Sequence, residues 1–462
     1  MFRSTNKCSS SRPEQRALPP VRRTVLAGIC VFLLLGGQGC KKPGNPAPGV
    51  TLTLIDEGWV DKEFQRRRSE ELYQFTKESG IPVEVLPAPE SAEEIVATWR
   101  RLLESGAKVP DVYAVDVVWP GVFADNLLDL KSYVPAPEIA AHFPQLIPNY
   151  TIKGRLVALP YALNIGMLFY RAELLREYGY SAPPKTWEEL ESMAARIQRG
   201  ERAKGKKDFW GYVWQGALTE TLTCNALEWQ VSEGGGTIVE NGEITVNNPE
   251  TVRAWERAAH WVGSISPPGV VAYKAGDAFN VWQAGQAAFM RNWAEAYPTA
   301  RAEGSVRGED LGIAPLPGGR GGSVGTVGGH GYGVSLHSLY PREAAMLVRF
   351  LCSRDVQLRS CRHTAEPPTL PELYRDPQVM AANPYFSRVL EVYQKGAALR
   401  PSTLTGKAYP EVSRAYFEAV HEVLTGKKSA ARAAAELQRT LVQITGLKAS
   451  VTPASAPLKD KH

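Results

Sequence analysis

Three short stretches near the start of the chain decide its fold: TLTLI at 51–55, IPVEVL at 81–86 and DVYAVDVV at 111–118. Each is rich in β-branched and other apolar residues, which is typical of a buried strand. Apolar residues at helical spacing over 62–79 and 92–103 predict a helix in each of the two gaps. Strands that alternate with helices in this order predict an α/β domain whose helices cross over between parallel strands.

The composition is that of an ordinary globular protein. The 462 residues correspond to two or three domains of ~150 residues, and 44% hydrophobic with 22% charged residues exclude general disorder. The net charge of +5 comes from the first 39 residues. The whole chain has 53 basic and 48 acidic residues. Without the six basic side chains and one acidic side chain of residues 1–39, 47 of each remain. The chain from residue 40 onward therefore has no net charge. Because nucleic-acid binding requires a basic surface, we expect that the chain does not bind nucleic acid.

Residues 1–39 predict a secretory signal peptide. A basic segment ending in Arg22-Arg23 is followed by an apolar run over 24–37. The run is shorter than the ~20 residues of a membrane-spanning helix, and it is the single long apolar run in the chain, so several membrane spans are excluded. The paired arginines leave the general and the twin-arginine export routes both open.

The apolar run ends in Gly37-Gln38-Gly39-Cys40, which resembles the lipobox of bacterial lipoproteins. At a lipobox the signal is cut before a cysteine that then receives lipid. We therefore expect lipidation of Cys40, a Pro- and Gly-rich tether over 40–49, and a location on the periplasmic or extracellular face of a membrane. An ordinary secretory signal with an incidental cysteine is the alternative.

Three cysteines remain in the mature body: Cys224, Cys352 and Cys361. An odd number allows at most one internal disulfide, for which Cys352 and Cys361 are the candidate pair. Buried free thiols are an alternative that we favour at least equally. The sequence contains no spacing typical of zinc ligands, no phosphate-binding loop and no nucleophile elbow. We therefore expect no metal, no cofactor and no catalytic residue.

The rest of the chain predicts further helices and one unusual glycine run. Helices are expected over 249–261 and 341–351, and Thr186 is the expected N-cap of a helix over 187–199. Residues 318–333 include nine glycines, which we interpret as a loop that approaches something closely. No core-forming pattern follows Gly446, so a disordered tail is predicted over 447–462.

Seven segments resemble, in the same order, the extracellular solute-binding proteins of ABC sugar importers, and among them the trehalose/maltose-binding branch. They are PDVYAVDVVWP at 110–120, LPYALNIGMLFYR at 159–171, LLREYGY at 174–180, PKTWEEL at 184–190, FWGYVWQG at 209–216, FMRNW at 289–293 and RPS at 400–402. The resemblance implies a type II periplasmic-binding-protein-like fold, in which two α/β lobes are joined by chain crossings and the ligand lies in the cleft between them. By analogy, the first lobe is 50–160 plus 312–336, and the second is 161–311 plus 337–446.

The resemblance also implies residues that bind a sugar in this cleft. A sugar needs hydrogen-bond partners for its hydroxyl groups and an aromatic plane for its apolar face. Asp116 matches a family acid that accepts hydroxyl groups, with a cap or loop acid as the alternative. Trp293 matches a stacking ring, with core packing as the alternative. Arg400 matches an arginine whose fork suits two hydroxyl groups, with a surface salt bridge as the alternative.

Four further residues complete the predicted ligand-binding set: Glu57, Asn164, Glu220 and His330. Glu57 represents a family acid for which Asp56 and Asp61 are also possible. Asn164 keeps hydrogen bonding where the family often has an acid. His330 is interpreted as facing the ligand or as a loop residue, in preference to a lone metal ligand.

Several positions depart from the family pattern, among them Ala162 and Ala294-Glu295. A lost stacking face costs ~0.5–1.5 kcal/mol beyond the lost contact area. We therefore hypothesise that the ligand is not maltose or trehalose in the family's usual pose. Tyr161, His330 and Tyr332 are the expected replacements for the lost aromatic surface.

The resemblance implies a monomer that captures a small-molecule carbohydrate and delivers it to ABC permease subunits. The expected sugar is a disaccharide such as trehalose or maltose, or a related oligosaccharide. A lipoprotein that presents sugar to a membrane receptor is the first alternative. A cell-surface glycoside-acting enzyme is the least favoured one, because the sequence has no nucleophile elbow, metal motif or nucleotide loop. The paired carboxylates at ~5–9.5 Å that such an enzyme needs are a separation that a sequence does not show.

Overall fold

The start of the chain folds as its alternating pattern predicts. The computed structural model describes residues 49–56, 62–89, 92–302, 310–363 and 366–450. Strand Leu52–Ile55 pairs in parallel with Val83–Leu86 on one side and with Val112–Asp116 on the other. Helices Lys62–Ser79 and Ala92–Glu104 form the two crossovers, within one residue of the predicted bounds. The predicted α/β class is therefore confirmed.

Within the described residues, sixteen strands follow one another along the chain. They are β1 Leu52–Ile55, β2 Val83–Leu86, β3 Val112–Asp116, β4 Thr151–Ile152, β5 Arg155–Leu156, β6 Leu159–Arg171, β7 Trp210–Val213, β8 Val239–Glu240, β9 Glu243–Ile244, β10 Ala287–Trp293, β11 Leu311–Ala314, β12 Gly318–Gly319, β13 Gly322–Ser323, β14 Gly325–Val334, β15 Ala397–Ala398 and β16 Lys448–Ala449.

The same part of the chain contains seventeen α-helices. They are α1 Lys62–Ser79, α2 Ala92–Glu104, α3 Pro120–Phe123, α4 Ala136–Ala140, α5 Ala172–Glu177, α6 Trp187–Ala203, α7 Glu220–Ser232, α8 Pro249–Trp261, α9 Ala275–Gln283, α10 Tyr297–Ala302, α11 Pro341–Leu351, α12 Arg354–His363, α13 Pro377–Ala382, α14 Phe386–Lys395, α15 Ser402–Thr405, α16 Tyr409–Leu424 and α17 Ala430–Thr445. Helices α8 and α11 have the predicted bounds. Thr186 caps α6 as predicted, since its hydroxyl accepts a hydrogen bond from the Glu189 amide at 3.2 Å.

One sheet of nine strands joins the N-terminal and middle parts of the described chain. Its order is β2-β1-β3-β14-β6-β10-β7, with β11 paired to β6 and β15 paired to β14. The two longest strands, β14 and β6, lie antiparallel beside each other. Strand β3 joins β14 on one side, and β10 joins β6 on the other. The two halves of the sheet therefore meet at β14 and β6.

Buried apolar side chains form two clusters. The first surrounds β1, β2 and β3 and includes Phe75 of α1 and Trp99 of α2. The second lies among α6, α7, α8, α16 and α17 and includes Trp187 and Trp255. Strand β6 contributes buried side chains to both clusters, as expected of a strand that crosses between two lobes, whereas the buried apolar side chains of β14 belong to the first cluster.

The chain after β14 departs from the predicted lobe boundary. We expected all of 337–446 in the second lobe, but the buried side chains of α11, α12, α13 and α14 belong to the first cluster. The reason is that α11 packs against α1, where the rings of Phe350 and Phe75 lie 5.5 Å apart. The buried side chains of α17 belong to the second cluster, as do most of those of α16. The other lobe boundaries stay predictions.

The glycine-rich run is not the predicted loop. It forms the hairpin of β12 and β13 and then β14, at the centre of the sheet. A Cβ on Gly331 would lie 2.6 Å from the Leu159 carbonyl oxygen. A Cβ on Gly329, whose φ is +126°, would lie 2.2 Å from the Ala162 carbonyl oxygen. The predicted close approach is therefore present, but the backbone that it concerns is that of the neighbouring strand.

The C-terminal prediction is wrong for its first residues. Gly446 ends α17 in the left-handed conformation, with φ at 70°. Strand β16 then pairs with β9, so the beginning of 447–462 is ordered. The rest of that predicted tail, the predicted signal peptide 1–39 and the predicted tether up to residue 48 lie outside the described residues.

Candidate functional site

The predicted site residues converge on the middle of β14. His330 pairs with Asp116 of β3 on one side and with Ala162 of β6 on the other. Two residues earlier, Gly328 pairs with Asn164 of β6. Neighbouring strands lie only ~4.8 Å apart. The strand register therefore gathers Asp116, Asn164 and His330 in one small region.

The segment 399–408, which we call the strap, brings Arg400 to this region. It leads from β15 to α16, and its helix α15 lies against α3, the short helix that follows β3. A Cβ on Gly121 of α3 would lie 2.3 Å from the Ser402 carbonyl oxygen. The strap can therefore lie this close to α3 only because residue 121 is glycine.

Arg400 is buried, and its guanidinium is held on two sides. Nη1 donates to Oε1 of Glu220 at 2.8 Å, and Nη2 donates to the Val327 carbonyl oxygen at 3.0 Å. Nη2 also lies 4.0 Å from Oδ1 of Asp116. Burial acts to lower the pKa of Arg400, but nearby negative charge, including that of Glu220 and Asp116, raises this pKa well above its ordinary value. The guanidinium is a permanent cation with a fixed orientation.

Glu220, the first residue of α7, is surrounded by protein donors. Besides Arg400, the Tyr409 hydroxyl donates to Oε1, and the Ser413 hydroxyl donates to Oε2 at 2.5 Å. Burial, and after it the Glu220 carboxylate, raises the pKa of Tyr409 well above its ordinary value, so the phenol stays protonated and donates. Three donors on one carboxylate favour a role in orienting Arg400 over a direct ligand contact.

Asp116 keeps one carboxylate oxygen available at the end of β3. Its Oδ1 accepts a hydrogen bond from the Val118 amide at 2.9 Å. Among the described residues, no hydrogen bond reaches Oδ2, and the side chain is 24% exposed. Asp116 therefore caps its loop and still offers an acceptor to a ligand.

Trp293 ends β10 and lies half-buried beside Asn164. It pairs with Gly166 of β6. A Cβ on Gly328 would lie 3.1 Å from Cζ3 of the indole and 3.4 Å from Cβ of Asn164. The guanidinium carbon of Arg291 lies 4.2 Å from the centre of the Trp293 ring. The indole is thus enclosed between the β6–β14 surface and an arginine.

The residues that hold these candidates in place do not stand out in the sequence. Arg291 is fully buried and paired with Glu228, and Tyr409 and Ser413 hold Glu220. These partners lie at least 63 residues apart along the chain, so no local motif links them. One signal was available, because Arg291 and Trp293 stand two residues apart on a strand and therefore share a face.

Two tyrosines expected in the cleft are buried in a network of charged residues. The Tyr161 hydroxyl accepts from Nη1 of Arg67 at 2.6 Å, and the Tyr332 hydroxyl accepts from Nη2 of Arg68 at 2.6 Å. Asp56 belongs to the same network and accepts from Arg68 and from Tyr332, at 3.1 and 2.9 Å. With 4% and 2% exposure, Tyr161 and Tyr332 do not replace the lost cleft aromatics, so the prediction is wrong for these two residues. For His330 it stays a prediction.

Two predicted residues lie outside the described part of the chain, and the three cysteines of the mature body are not paired. Glu57 and Cys40 lie outside the described residues. Cys224, Cys352 and Cys361 are buried free thiols, so the candidate disulfide is not formed. Burial raises the pKa of Cys224 to about 12.

Within the described ranges, no group of three or more His, Cys, Asp or Glu side chains is placed to hold a metal ion. No helix in those ranges combines the length and apolarity of a membrane span.

Oriented polar groups around a half-buried aromatic ring are typical of a ligand-binding site. A model of the bacterial extracellular solute-binding protein family matches residues 72–386. A probable ABC transporter-binding protein from Deinococcus radiodurans is 43% identical over 374 residues, which cover 80% of this chain and 89% of that protein. The chain therefore belongs to the bacterial extracellular solute-binding protein family. It is a binding protein and not an enzyme.

Solved structures of such binding proteins share the fold. Maltose-bound MalE3 from T. maritima has a TM-score of 0.78 at 33% identity, over 86% of this chain and 100% of that one. The GacH receptor of Streptomyces glaucescens has a TM-score of 0.75 at 24% identity, over 86% of this chain and 98% of that one. The predicted two-lobed architecture is confirmed.

Proposed function

We propose that this chain is the sugar-binding component of an ABC importer. The observation that carries the proposal is the convergence of Asp116, Arg400 and Trp293 on the middle of β14. An available carboxylate oxygen and an oriented guanidinium suit hydroxyl groups, and an indole suits the apolar face of a sugar ring. The T. maritima relative with bound maltose supports a disaccharide such as maltose or trehalose, or a related oligosaccharide.

The charges at the site favour a neutral sugar. One guanidinium, that of Arg400, lies between the carboxylates of Glu220 and Asp116, at 2.8 and 4.0 Å. Its positive charge is therefore already balanced by the protein. A phosphorylated ligand would bring a further negative charge to Asp116, and like charges at short range are repulsive.

Binding proceeds by closure of the two lobes around the sugar. Asp116 lies on a strand of the first cluster, and Glu220 lies on α7, whose apolar side chains belong to the second. Arg400 is close to both carboxylates, so a ligand that binds Arg400 and Asp116 joins groups that are positioned by both clusters. Such a ligand stabilises the closed arrangement and shifts the population towards it. The closed form then docks on permease subunits, and the name of the Deinococcus radiodurans relative supports this partner.

Export and lipid attachment are part of the proposal. The signal-like segment and the Gly37-Gln38-Gly39-Cys40 motif support cleavage before Cys40 and anchoring of the mature chain by lipid. The competing hypothesis is an ordinary signal peptide without lipid. The two differ in whether the protein stays in the membrane fraction after export.

A thermal-shift screen of the purified protein tests the proposed ligand class. We expect neutral mono- and disaccharides, maltose and trehalose among them, to raise the melting temperature. A ligand at 100 times its Kd adds ~2.7 kcal/mol to the free energy of unfolding. Sugar phosphates serve as the charged comparison. Stabilisation by sugar phosphates alone, or by none of these sugars, would contradict the proposal.

A further inference from the structure

A buried ion pair lies directly behind the half-buried Trp293. Arg291 and Glu228 have no exposed side-chain surface beyond 1%. Arg291 donates from Nε to Oε2 of Glu228 at 2.9 Å and from Nη2 to Oε1 at 2.5 Å. Its Nη1 donates to Oε1 of Gln215 at 3.2 Å. A guanidinium bound on three nitrogens has a fixed plane.

This fixed plane supports the indole. The guanidinium carbon lies 4.2 Å from the centre of the Trp293 ring, within the range of a cation–π contact. Arg291 and Trp293 project from the same face of β10 because they are two residues apart. The ring therefore cannot tilt towards the core without displacing a guanidinium that is locked by Glu228.

Two glycines provide the space for this arrangement. A Cβ on Gly166 would lie 2.0 Å from Oε1 of Glu228 and 2.6 Å from Nη2 of Arg291. A Cβ on Gly328 would lie 3.1 Å from the Trp293 ring. Side chains at 166 and 328 would thus displace the ion pair and the ring respectively. Strands β6 and β14 carry glycine where the ion pair and the ring need the room.

Stability alone gives little reason for such an ion pair. Removing two charges from water is expensive, and well-packed apolar residues in their place are often as stable. We propose that Arg291, locked by Glu228, is a positioning residue for the ligand. It fixes the indole plane of Trp293, against which the apolar face of a six-membered sugar ring stacks. The inference rests on the proposed function, because it names the residue that prepares the same site.

A double-mutant cycle separates positioning from a general structural role. The paired change Arg291→Met with Glu228→Gln removes both charges together, so no uncompensated buried charge remains. The paired change is made both in the protein that keeps Trp293 and in the Trp293→Leu variant. Sugar affinity is measured by calorimetry with maltose, or with trehalose if maltose does not bind. We expect a loss of about tenfold with Trp293 present and of less than about twofold with leucine. An equal loss in both backgrounds would overturn the inference.

A single substitution keeps the inference testable if the paired variant does not fold. Gly328→Ala places a methyl group against the indole without touching the ion pair, and we expect it to weaken sugar binding severalfold. Gly276→Ala, in α9 with no atom within 4 Å of the added methyl group, is the matched control and should leave affinity unchanged. Unchanged affinity in Gly328→Ala would contradict the inference. Failure of the unsubstituted protein to bind any neutral sugar would instead refute the proposed function, and the inference with it.

Discussion

The contact between Gly121 and the strap sets the position of Arg400, and its disruption should be visible in sugar affinity. In Gly121→Ala, the added methyl group would lie 2.3 Å from the Ser402 carbonyl oxygen, whereas ordinary contact begins at 3.4 Å. The strap must therefore retreat by about 1.1 Å. A shift of that size along the bond lengthens the 2.8 Å hydrogen bond from Arg400 to Glu220 beyond hydrogen-bonding distance.

The expected loss follows from this displacement. A hydrogen bond to a charged group contributes ~1.5–3 kcal/mol, and a ligand that depends on Arg400 should lose a comparable amount. We expect Kd for the sugar to rise roughly tenfold to hundredfold in Gly121→Ala. Overpacking at this site should also lower the free energy of unfolding by ~1–3 kcal/mol.

Calorimetric titration with the sugar found in the screen checks this prediction, with thermal melting to confirm that the variant is folded. Gly276→Ala is again the matched control, because its methyl group meets no atom within 4 Å. The control should bind sugar as the unsubstituted protein does. A folded Gly121→Ala variant with unchanged Kd would show that the strap does not position a ligand contact.

Three further predictions concern single residues. Asp116→Asn should weaken sugar binding about tenfold, because a neutral amide replaces a charged acceptor; titration checks this, and melting should change little. Cys40→Ser should release the exported protein from the membrane fraction, as fractionation and immunoblotting would show; unchanged membrane attachment would contradict lipidation. Burial lowers the pKa of His142 from 6.5 to about 4. Its contribution to stability is therefore fully present above pH ~6.5 and falls by up to ~3 kcal/mol as pH decreases towards 4, because the unfolded chain takes up the proton first. His142→Asn, which can keep the hydrogen bond to Thr369, should flatten this dependence in denaturant titrations at several pH values.

Local patterns predicted the local structure well. The first five elements and the bounds of α8 and α11 follow from apolar spacing and capping residues, which act over a few residues. The glycine run was misread because glycine is normally unfavourable in a strand. Glycine is needed on β14 because backbone oxygens of β6 lie 2.2 and 2.6 Å from the Cβ positions that other residues would have there. This is a tertiary contact, which cannot be predicted from composition.

The candidate site was predicted only in part, and from a family resemblance instead of from local patterns. Asp116, Trp293 and Arg400 came from a family resemblance, and the fold brings them to one strand. The residues that orient them were missed. The ion pair of Arg291 with Glu228 joins positions 63 residues apart, and only the sheet and α7 bring them together. Such partners can be found from the tertiary structure but not from spacing.

Hydrogen–deuterium exchange of the purified protein with and without sugar tests whether Asp116, Arg400 and Trp293 bind one ligand together. With sugar bound, we expect slower exchange in three places: residues 326–330 of β14, the strap 399–408 and the end of β10 at Trp293. These segments should be protected together, because a ligand between Asp116, Arg400 and Trp293 contacts or closes over all of them. Sugar binding that protects other parts of the chain and leaves these three unchanged would show that the ligand binds elsewhere.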